Sequence, residues 1–470
     1  MENLSRVRRA LVLSGLQLAF CALFLRAQNF PGGFVEKADT VPSRPPPTTA
    51  QIQSFLPLAR GKFTFPAPYN TAAVRITDPS DCAGATDCVF GVGYSYWRVT
   101  NNHVSSSTIL IVVGLNKNAG GAGPSLFSYD KLTDQVAKLG PLFPPSHYLT
   151  WAAPETWYFS ATQPHMLYIP DGSDLRRYDV VTKQFQTAFS VSGQFPGKTI
   201  FQAHSSNDDK VHSATLKDPA NNYDDLGCIV FSESTGQLTF YPKKGTFDEC
   251  QVDKGGNWLL IKEDVDGLYG TDNRIIDLRT GAEKTLLDQD GATGHSDNGY
   301  GYQVGHDNWD NYWGVSKLWK FADNPMQGTR VYYTNPYSLP SGGGPAHIAH
   351  GNAKAGVPPD QQYACGSNAD TDPAKTHSNE ILCFRLDTSN NFLIVAPVMV
   401  DLNGPGGSSS YARLPKGNLD VTGQYFVWGS NMAGSGRKDI FLVKVPSQLL
   451  TGGASPAAAP PAKPKGLRIR

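Results

Sequence analysis

The sequence predicts an all-β fold, a seven-bladed β-propeller of four-stranded antiparallel blades. Short apolar segments alternate with turns in a chain of 470 residues that holds 47 glycines and 34 prolines. An apolar strand, a turn and a second apolar strand recur as a unit, at intervals of about fifty residues or twice that. A polar turn and a further apolar strand precede the hairpins. Together these pieces give four strands per repeat, the composition of a propeller blade.

The recurring hairpins share a turn in which Asp, Ser or Thr is followed by Thr or Gly. These side chains satisfy backbone groups of the turn, and glycine accepts a positive φ. The turns fall at residues 129–133, 178–182, 234–236, 277–281 and 387–388.

Counting the repeats predicts seven blades. The inner strands are expected to begin near Tyr94, Thr150, Phe201, Glu249, Gly294, Ala346 and Asn418. The last repeat supplies only three strands, and the segment "NTAAVRITD", residues 70–78, is a free strand that can complete it. Such a strand closes the ring and leaves no open edge. A β-helix and a pair of sandwiches are disfavoured, because the period is too long for the first and no linker supports the second.

The two ends of the chain differ from its body. Residues 1–27 carry three early arginines, an apolar run and a small residue at Ala27, which predicts a cleaved secretory signal. A membrane anchor is the alternative, but the run is short and interrupted by polar residues. We expect an N-terminal extension at 28–60, the propeller at 61–450 and a disordered Ala/Pro-rich basic tail at 451–470. The predicted location is secreted or periplasmic, with no transmembrane segment after signal removal.

Cysteine usage agrees with export. Beyond the predicted signal the chain has an even number of cysteines, which suggests disulfides in an exported protein. They are Cys82, Cys88, Cys228, Cys250, Cys365 and Cys383. Six cysteines allow fifteen pairings, of which sequential pairing is the simplest hypothesis. A metal cluster is disfavoured because no CxxC pair exists.

The charge balance excludes one class of partner. Removal of residues 1–27 leaves 37 basic and 40 acidic side chains, a net charge of −3, and removal of the last twenty residues lowers it to −7. A mildly acidic body argues against non-specific nucleic-acid binding.

The last repeat, "LDVTGQYFVWGSNMAGSGRKDIFLVKV", resembles the repeat of TolB-like propellers, a WD40-like superfamily. The matching positions are Asp420, Gly423, Gln424, Trp428, Ser430, Asn431, Asp439 and Ile440. A second repeat, "QVDKGGNWLLIKE", matches through Asp253, Gly255 and Trp258. The resemblance implies the propeller fold. It also implies one functional hypothesis, a non-catalytic module that binds a glycan or an envelope protein partner.

A narrower resemblance is to the oligogalacturonate lyases, propellers that bind a divalent metal, typically manganese, and cleave uronate chains by β-elimination. The match is by repeat position, and the order of the family's glutamine–histidine cluster is not reproduced. The resemblance implies a divalent metal, Mn or Ca, and a polysaccharide or oligosaccharide ligand. The implied ligands are His204, Gln251, His295, His347 and His350.

An argument from geometry points to the same histidines. Inner strands converge on the propeller axis, so histidines at one repeat position of several blades can form a ring of imidazoles, which suit Mn, Zn, Fe or Ni. The alternative is that these side chains hydrogen-bond neighbouring blades. His306 and Asp307 are expected at the opposite end of the strand from His295. Residues 264–273, "DVDGLYGTDN", could hold Ca²⁺, but a solvated turn is favoured because the calcium-loop pattern is incomplete.

Aromatic and charged residues add to the candidates. In "GYSYWRVTNNH", residues 93–103, Tyr96 can stack on a sugar and Arg98 can pair with a carboxylate, although a core strand is the alternative. The same two interpretations, a ligand-binding role or a place in the core, apply to Trp151, Glu155 and Trp157. The enzyme hypothesis is a metal-assisted lyase of uronate-containing chains with His295, Arg98 and Tyr96 as its catalytic residues.

Overall fold

The computed structural model describes residues 28–37, 44–84, 87–146, 157–268, 270–307, 315–324, 326–333, 346–371 and 377–451. The predicted signal and the tail from residue 452 onward therefore lie outside the described residues, as do Thr150, Trp151 and Glu155. Among the described helices, none has the length and apolar character needed to cross a membrane.

Short strands dominate the described chain. In chain order they are β1 (Phe34–Lys37), β2 (Gly61–Thr64), β3 (Ala72–Arg75), β4 (Val89–Gly91), β5 (Thr108–Leu115), β6 (Ser125–Asp130), β7 (Val136–Pro141), β8 (Tyr158–Phe159), β9 (Met166–Asp171), β10 (Asp174–Asp179), β11 (Gln184–Ser190), β12 (Thr199–Ser205), β13 (Val211–Asp218), β14 (Asp224–Ser232), β15 (Gln237–Pro242), β16 (Thr246–Val252), β17 (Trp258–Asp264), β18 (Asp272–Asp277), β19 (Glu283–Leu286), β20 (Thr293–Asn298), β21 (Tyr302–Asp307), β22 (Ser316–Lys320), β23 (Thr329–Tyr332), β24 (His347–Ala349), β25 (Tyr363–Ser367), β26 (Glu380–Arg385), β27 (Asn391–Pro397), β28 (Asn418–Leu419), β29 (Tyr425–Ser430) and β30 (Asp439–Lys444). The α-helices are α1 (Thr49–Phe55), α2 (Ser410–Arg413) and α3 (Gln448–Thr451).

The strands form seven antiparallel sheets, one for each blade. Blades 1 to 5 are β4–β7, β8–β11, β12–β15, β16–β19 and β20–β23, each in chain order from the inner to the outer strand. Blade 6 is β24–β27 with β1 added outside, and blade 7 is β28–β30 followed by β3 and β2. The predicted seven-bladed propeller of four-stranded antiparallel blades is confirmed.

The ring closes where the sequence predicts. Strand β3 pairs with β30 in the register Val74↔Leu442 and Arg75↔Phe441, so a strand from near the N-terminus supplies the fourth strand of the last blade. An ion pair of 2.5 Å joins Arg75 to the buried Asp439 across this junction. The fifth strands β1 and β2 were not expected. Together with Ile52 of α1, which packs into the core between blades 6 and 7, they tie residues 28–37 and 44–64 to the propeller.

One inner strand differs from the expectation, and the start of a second lies outside the described residues. In blade 1 the chain leaves the sheet after β4 and returns to β5 near Thr100, which bridges Ile111. Gly93, with φ of +90°, adopts a conformation that glycine tolerates, and residues 92–99 form turns instead of the expected strand. In blade 2 the described inner strand is β8, and the expected start at Thr150 lies outside the described residues.

The cysteines pair sequentially. Disulfides join Cys82 to Cys88, Cys228 to Cys250 and Cys365 to Cys383. The second links β14 of blade 3 to β16 of blade 4, and the third joins two directly opposite residues of blade 6. The simplest of the fifteen pairings is therefore the one found.

The residues matched to the TolB-like repeat have equivalent structural roles. The Asp253 carboxylate accepts hydrogen bonds from the backbone N–H of Asn257 and of Trp258 at 2.7 and 2.9 Å. In blade 7 the Asp420 carboxylate accepts the backbone N–H of Gln424 and of Tyr425 at 2.8 and 2.7 Å. In both blades the aspartate thus fixes the turn that leads into the second strand.

Candidate functional site

One end of blade 5 brings two histidines together. The register of β20 and β21 pairs Thr293 with Asp307 and Ser296 with Gly305, so His295 and His306 lie side by side at the same end of the hairpin. The expectation that His306 sits at the opposite end is wrong, because the chain reverses at residues 299–301 and returns to its starting point. The sequence shows this symmetry as Gly-His at 294–295 and again at 305–306.

A third histidine from the next blade joins them. His347 begins β24, and its ring stacks on that of His295 with centroids 4.8 Å apart and planes inclined by 22°. Tyr94 contacts both imidazoles, with centroid distances of 5.6 Å to His295 and 5.1 Å to His347. We call His295, His306, His347 and Tyr94 the imidazole cluster.

The surroundings keep two of these imidazoles neutral. Burial, reinforced by the positive charges of Lys262 and Lys416, lowers the pKa of His295 to about 3. Burial also lowers the pKa of His347 far below its ordinary value. His295 is nevertheless partly exposed, whereas His347 is 2% exposed. Solvent can therefore reach His295, with His347 behind it.

The two ring nitrogens of His347 make no hydrogen bond to any described residue. An unsatisfied buried polar group costs about 1–3 kcal/mol, which a native protein rarely leaves without a reason. Lys416 places its ammonium 5.0 Å from the centre of the Tyr94 ring. The cluster thus combines one imidazole, His347, that has no hydrogen-bond partner among the described residues with a nearby cation.

His204 lies apart from this cluster. Its ring is 4.5 Å from Trp97 and 6.0 Å from Tyr96, and its Nε2 has no hydrogen-bond partner among the described residues. Burial lowers its pKa well below the ordinary value. Tyr94, whose ring is 5.0 Å from that of Tyr96, connects the two regions. His204 thus faces the aromatic residues of the 92–99 segment and makes no described ring contact with His295 or His347.

Tyr96 and Gln251 both donate hydrogen bonds to the buried carboxylate of Glu249. The Tyr96 hydroxyl donates to Glu249 at 2.9 Å, and the Gln251 amide donates to Glu249 Oε1 at 2.9 Å. Lys262 completes this network with an ion pair of 2.7 Å to the same oxygen. Glu249 is therefore neutralised, and the Gln251 amide nitrogen is occupied.

His350 and Arg98 stabilise the interior in the arrangement described. A hydrogen bond of 2.7 Å joins His350 Nε2 to the Tyr302 hydroxyl, and another of 3.1 Å joins its Nδ1 to Asn352. Arg98 donates to the carbonyl of Phe159 at 3.0 Å and to Asn207 at 2.8 Å. Neither side chain makes a described hydrogen bond or ring contact with the imidazole cluster. Trp157 is likewise a buried residue that packs against Phe143 at 5.2 Å.

The structure describes a direct ring contact between two of the five predicted metal ligands, His295 and His347. Catalytic metals usually have three protein ligands. Among the described His, Cys, Asp and Glu residues, the one group whose ligand atoms all lie within 4.8 Å is Asp264, Asp266 and Asp272. With Lys416 and Lys262 as neighbouring cations, the described axial residues do not fit a divalent metal.

The acidic group occupies the turn between β17 and β18, where the sequence suggested Ca²⁺ or a solvated turn. Asp264 accepts the backbone N–H of Gly267 at 2.7 Å, and Asp272 accepts that of Val265 at 2.7 Å. These bonds are turn chemistry, and the group also offers carboxylates that could hold a cation.

The fold and the cluster define the class of protein, a seven-bladed propeller with paired imidazoles at the start of two inner strands. Among solved structures it is similar to oligogalacturonate lyase from Vibrio parahaemolyticus, at 10% identity and a TM-score of 0.57, over 89% of this chain and 100% of the other. An oligogalacturonate lyase in complex with manganese is similar over 84% of this chain and 98% of the other, at 10% identity and a TM-score of 0.56.

TolB from Acinetobacter baumannii matches over 62% of this chain and 63% of its own, at 13% identity and a TM-score of 0.36. No protein-family model and no curated protein matches the sequence. At these identities the similarity shows a shared fold, and the propeller predicted from the repeats is the one shared with the lyases.

Proposed function

We propose that this chain is a carbohydrate-active lyase that cleaves uronate-containing oligosaccharides by β-elimination at the imidazole cluster. The observation that carries the proposal is the neutral, partly exposed His295 stacked on His347, whose nitrogens are unsatisfied. The oligogalacturonate lyases that share the fold act on such saccharides by name, which supports the same substrate class here.

The charges around the cluster favour an anionic substrate. Lys416 and Lys262 lower the pKa of His295, so the potential at its ring is positive even though the whole body is mildly acidic. A uronate carboxylate bound beside Lys416 offsets that potential and raises the pKa of His295 toward neutrality. A base is most effective when its pKa lies near the working pH, so substrate binding itself prepares the base.

The reaction follows from these groups. The neutral His295 ring takes the proton from the carbon next to the carboxylate, the freed electron pair forms a carbon–carbon double bond, and the glycosidic bond to the adjacent carbon breaks. Tyr94 accepts a hydrogen bond of 3.1 Å from Tyr411 and donates its own proton to the leaving oxygen. The Lys416 ammonium stabilises the charge that grows on the carboxylate.

The test is product formation by the full chain on a panel of uronate-containing oligosaccharides, followed through the absorbance of unsaturated products. We expect His295→Ala to lower kcat/KM by about 100-fold or more, because positioned general bases contribute about 10²–10⁴-fold. His165→Ala, at an exposed position, is the matched control and should behave as wild type. Absence of unsaturated product across the panel would overturn the proposal.

A non-catalytic glycan-binding propeller is the second candidate. The observation that favours it is the pKa of His295, which at about 3 makes the free imidazole a weak base. The two candidates separate in one experiment, because saturable binding of an acidic oligosaccharide without any unsaturated product identifies the binding module. Formation of unsaturated product at a rate that depends on pH identifies the lyase.

A further inference from the structure

A cavity opens beside the imidazole cluster. It has a volume of about 610 Å³ and lies between β4 and the segment that leads from blade 6 into blade 7. Like the cluster, it lies where inner strands begin, because it is lined by β4 and by the residues before β28. We call it the side pocket. Its lining includes Asp87, Phe90, Gly407, Tyr411, Lys416 and Lys438.

The side pocket has an excess of positive charge. Lys438 is 6% exposed and donates to the carbonyls of Phe90 at 3.1 Å and Ala412 at 2.6 Å. These bonds use two of the three N–H groups of an ammonium. The one lining carboxylate, Asp87, already accepts the backbone N–H of Gly407 and of Val89, both at 3.1 Å. Lys416 adds a second ammonium to the lining.

Two aromatic rings in the side pocket are exposed, although most aromatic residues of this protein are buried. Phe90 is 43% exposed and Tyr411 is 49% exposed. The Lys416 ammonium sits 3.3 Å from the centre of the Tyr411 ring, which holds that ring in place. An exposed ring beside an ammonium offers both a stacking surface for the apolar face of a sugar and a partner for its carboxylate.

The pocket wall is preorganised. Arg413 fastens the loop by donating to the carbonyls of Gly406 at 3.0 Å and Leu402 at 2.8 Å. Gly406 and Gly407 have φ of +91° and +87°, a conformation that a residue with a side chain rarely adopts. The loop therefore forms a shaped wall before any ligand arrives, which reduces the ordering cost of binding.

The side pocket and the imidazole cluster share a wall. The Tyr411 hydroxyl donates to the Tyr94 hydroxyl at 3.1 Å, and the Tyr94 ring lies 5.6 Å from His295. Lys416 contacts both tyrosine rings. The side pocket and His295 are therefore close neighbours on either side of Tyr94.

We propose that the side pocket binds a second acidic sugar of the same oligosaccharide, with its carboxylate on Lys438 and Lys416 and its ring on Phe90 or Tyr411. The assignment rests on the proposed function for the chemical class of the ligand. It makes the protein selective for chains in which acidic units are adjacent.

The test is calorimetric titration of the full chain with trigalacturonate, with monomeric galacturonate and with the fully methyl-esterified trimer. We expect the acidic trimer to bind at least tenfold more tightly than either of the others. Phe90→Ala and Lys438→Gln should each weaken trimer binding by tenfold or more. Tyr223→Ala and Lys320→Gln change an exposed aromatic residue and an exposed lysine elsewhere and should leave binding unchanged.

The outcomes separate this inference from the lyase proposal. If product forms and both pocket variants bind and cleave the trimer as wild type does, the side pocket is not a subsite and the inference fails alone. If no product forms but the two variants lose trimer binding, the lyase proposal fails and the pocket stands. Because Lys438 is buried, its variant counts only with an unchanged melting temperature, and the exposed Phe90 provides the independent variant.

Discussion

Hydrogen-bond partners decide whether a buried histidine stabilises this fold, as His347 and His350 show. The nitrogens of His347 have no hydrogen-bond partner among the described residues, whereas those of His350, three residues later, bond to Tyr302 and Asn352. Both lie on blade 6 and both are buried, so their sequence context is alike. His347 therefore destabilises the fold, which suggests that it is kept for function, whereas His350 stabilises it.

Leucine substitutions distinguish these two roles. We expect His347→Leu to leave the free energy of unfolding unchanged or to raise it, because the variant loses no hydrogen bond and fills a similar volume. His350→Leu should lower it by about 1–3 kcal/mol, because it strands two buried partners. Chemical denaturation of the purified variants measures both. Equal destabilisation would mean that His347 has a structural partner.

The contact between two imidazoles also leads to a prediction about metal dependence. Because the structure describes direct contact between only two of the proposed ligands, His295 and His347, we expect the proposed lyase activity and the melting temperature to survive treatment with a chelator. Product formation before and after EDTA is the measurement. Loss of activity that Mn²⁺ restores in wild type, but not in His347→Leu, would contradict this expectation and support the metal-assisted mechanism.

At the scale of elements, residues 92–99 matter most. The segment leaves the sheet of blade 1 and carries Tyr94 to the imidazole cluster and Tyr96 to Glu249. Its departure depends on Gly93, whose φ is +90°. A regular strand here would keep both tyrosines in the blade, so a local backbone conformation decides what faces the axis.

Gly93→Ala tests that dependence. We expect it to lower the free energy of unfolding by about 1–3 kcal/mol, because a residue with a side chain is strained at this φ. Product formation should fall with it, since Tyr94 shifts. Gly193→Ala is the control, because Gly193 has no heavy atom within 4 Å of an added Cβ and no positive φ. A variant at residue 93 as stable as this control would show that the turn tolerates a side chain.

At the scale of the whole molecule, the N-terminal segment is joined to the ring by charge as well as by strands. Arg44 pairs with Glu380 of blade 6 at 2.7 Å and with Glu36 of β1 at 2.7 Å. Burial alone would raise the pKa of Glu380, but hydrogen bonds from His377 and Arg44 outweigh it and lower the pKa to about 2. The carboxylate form of Glu380 is thus the form that the fold stabilises.

A stability profile against pH follows from that shift. The native pKa of Glu380 lies below the ordinary value of 4.5, so its contribution is complete above about pH 4.5 and is lost as the pH falls toward 2. We expect the melting temperature to fall over that interval in wild type and to fall less steeply in Glu380→Gln. Identical slopes for the two proteins would assign the acid sensitivity to other groups.

The fold was largely predictable because its signals are local. Turn aspartates such as Asp253 and Asp420 act within five residues of themselves, and a repeated turn predicts a repeated blade. The closing strand was predictable because the last repeat supplied only three of the four strands of a blade. The position of His306 was also within reach, since a hairpin centred on residue 300 pairs it with His295. His306 is a strand length from His295 along the chain, but the hairpin reverses the chain and brings the two residues to the same end.

The site was less predictable because it depends on which blades meet. The sequence by itself determined the seven blades, their closure and the presence of histidines on inner strands, and it left fifteen cysteine pairings open, of which the structure selects the sequential one. Only the tertiary structure decided that His295 and His347 stack while His204 and His350 do not join them, and that Lys416 and Lys438 line one pocket. The physical reason is range: turns and repeats are set by neighbours in the chain, whereas contacts at the axis depend on the packing of strands more than fifty residues apart.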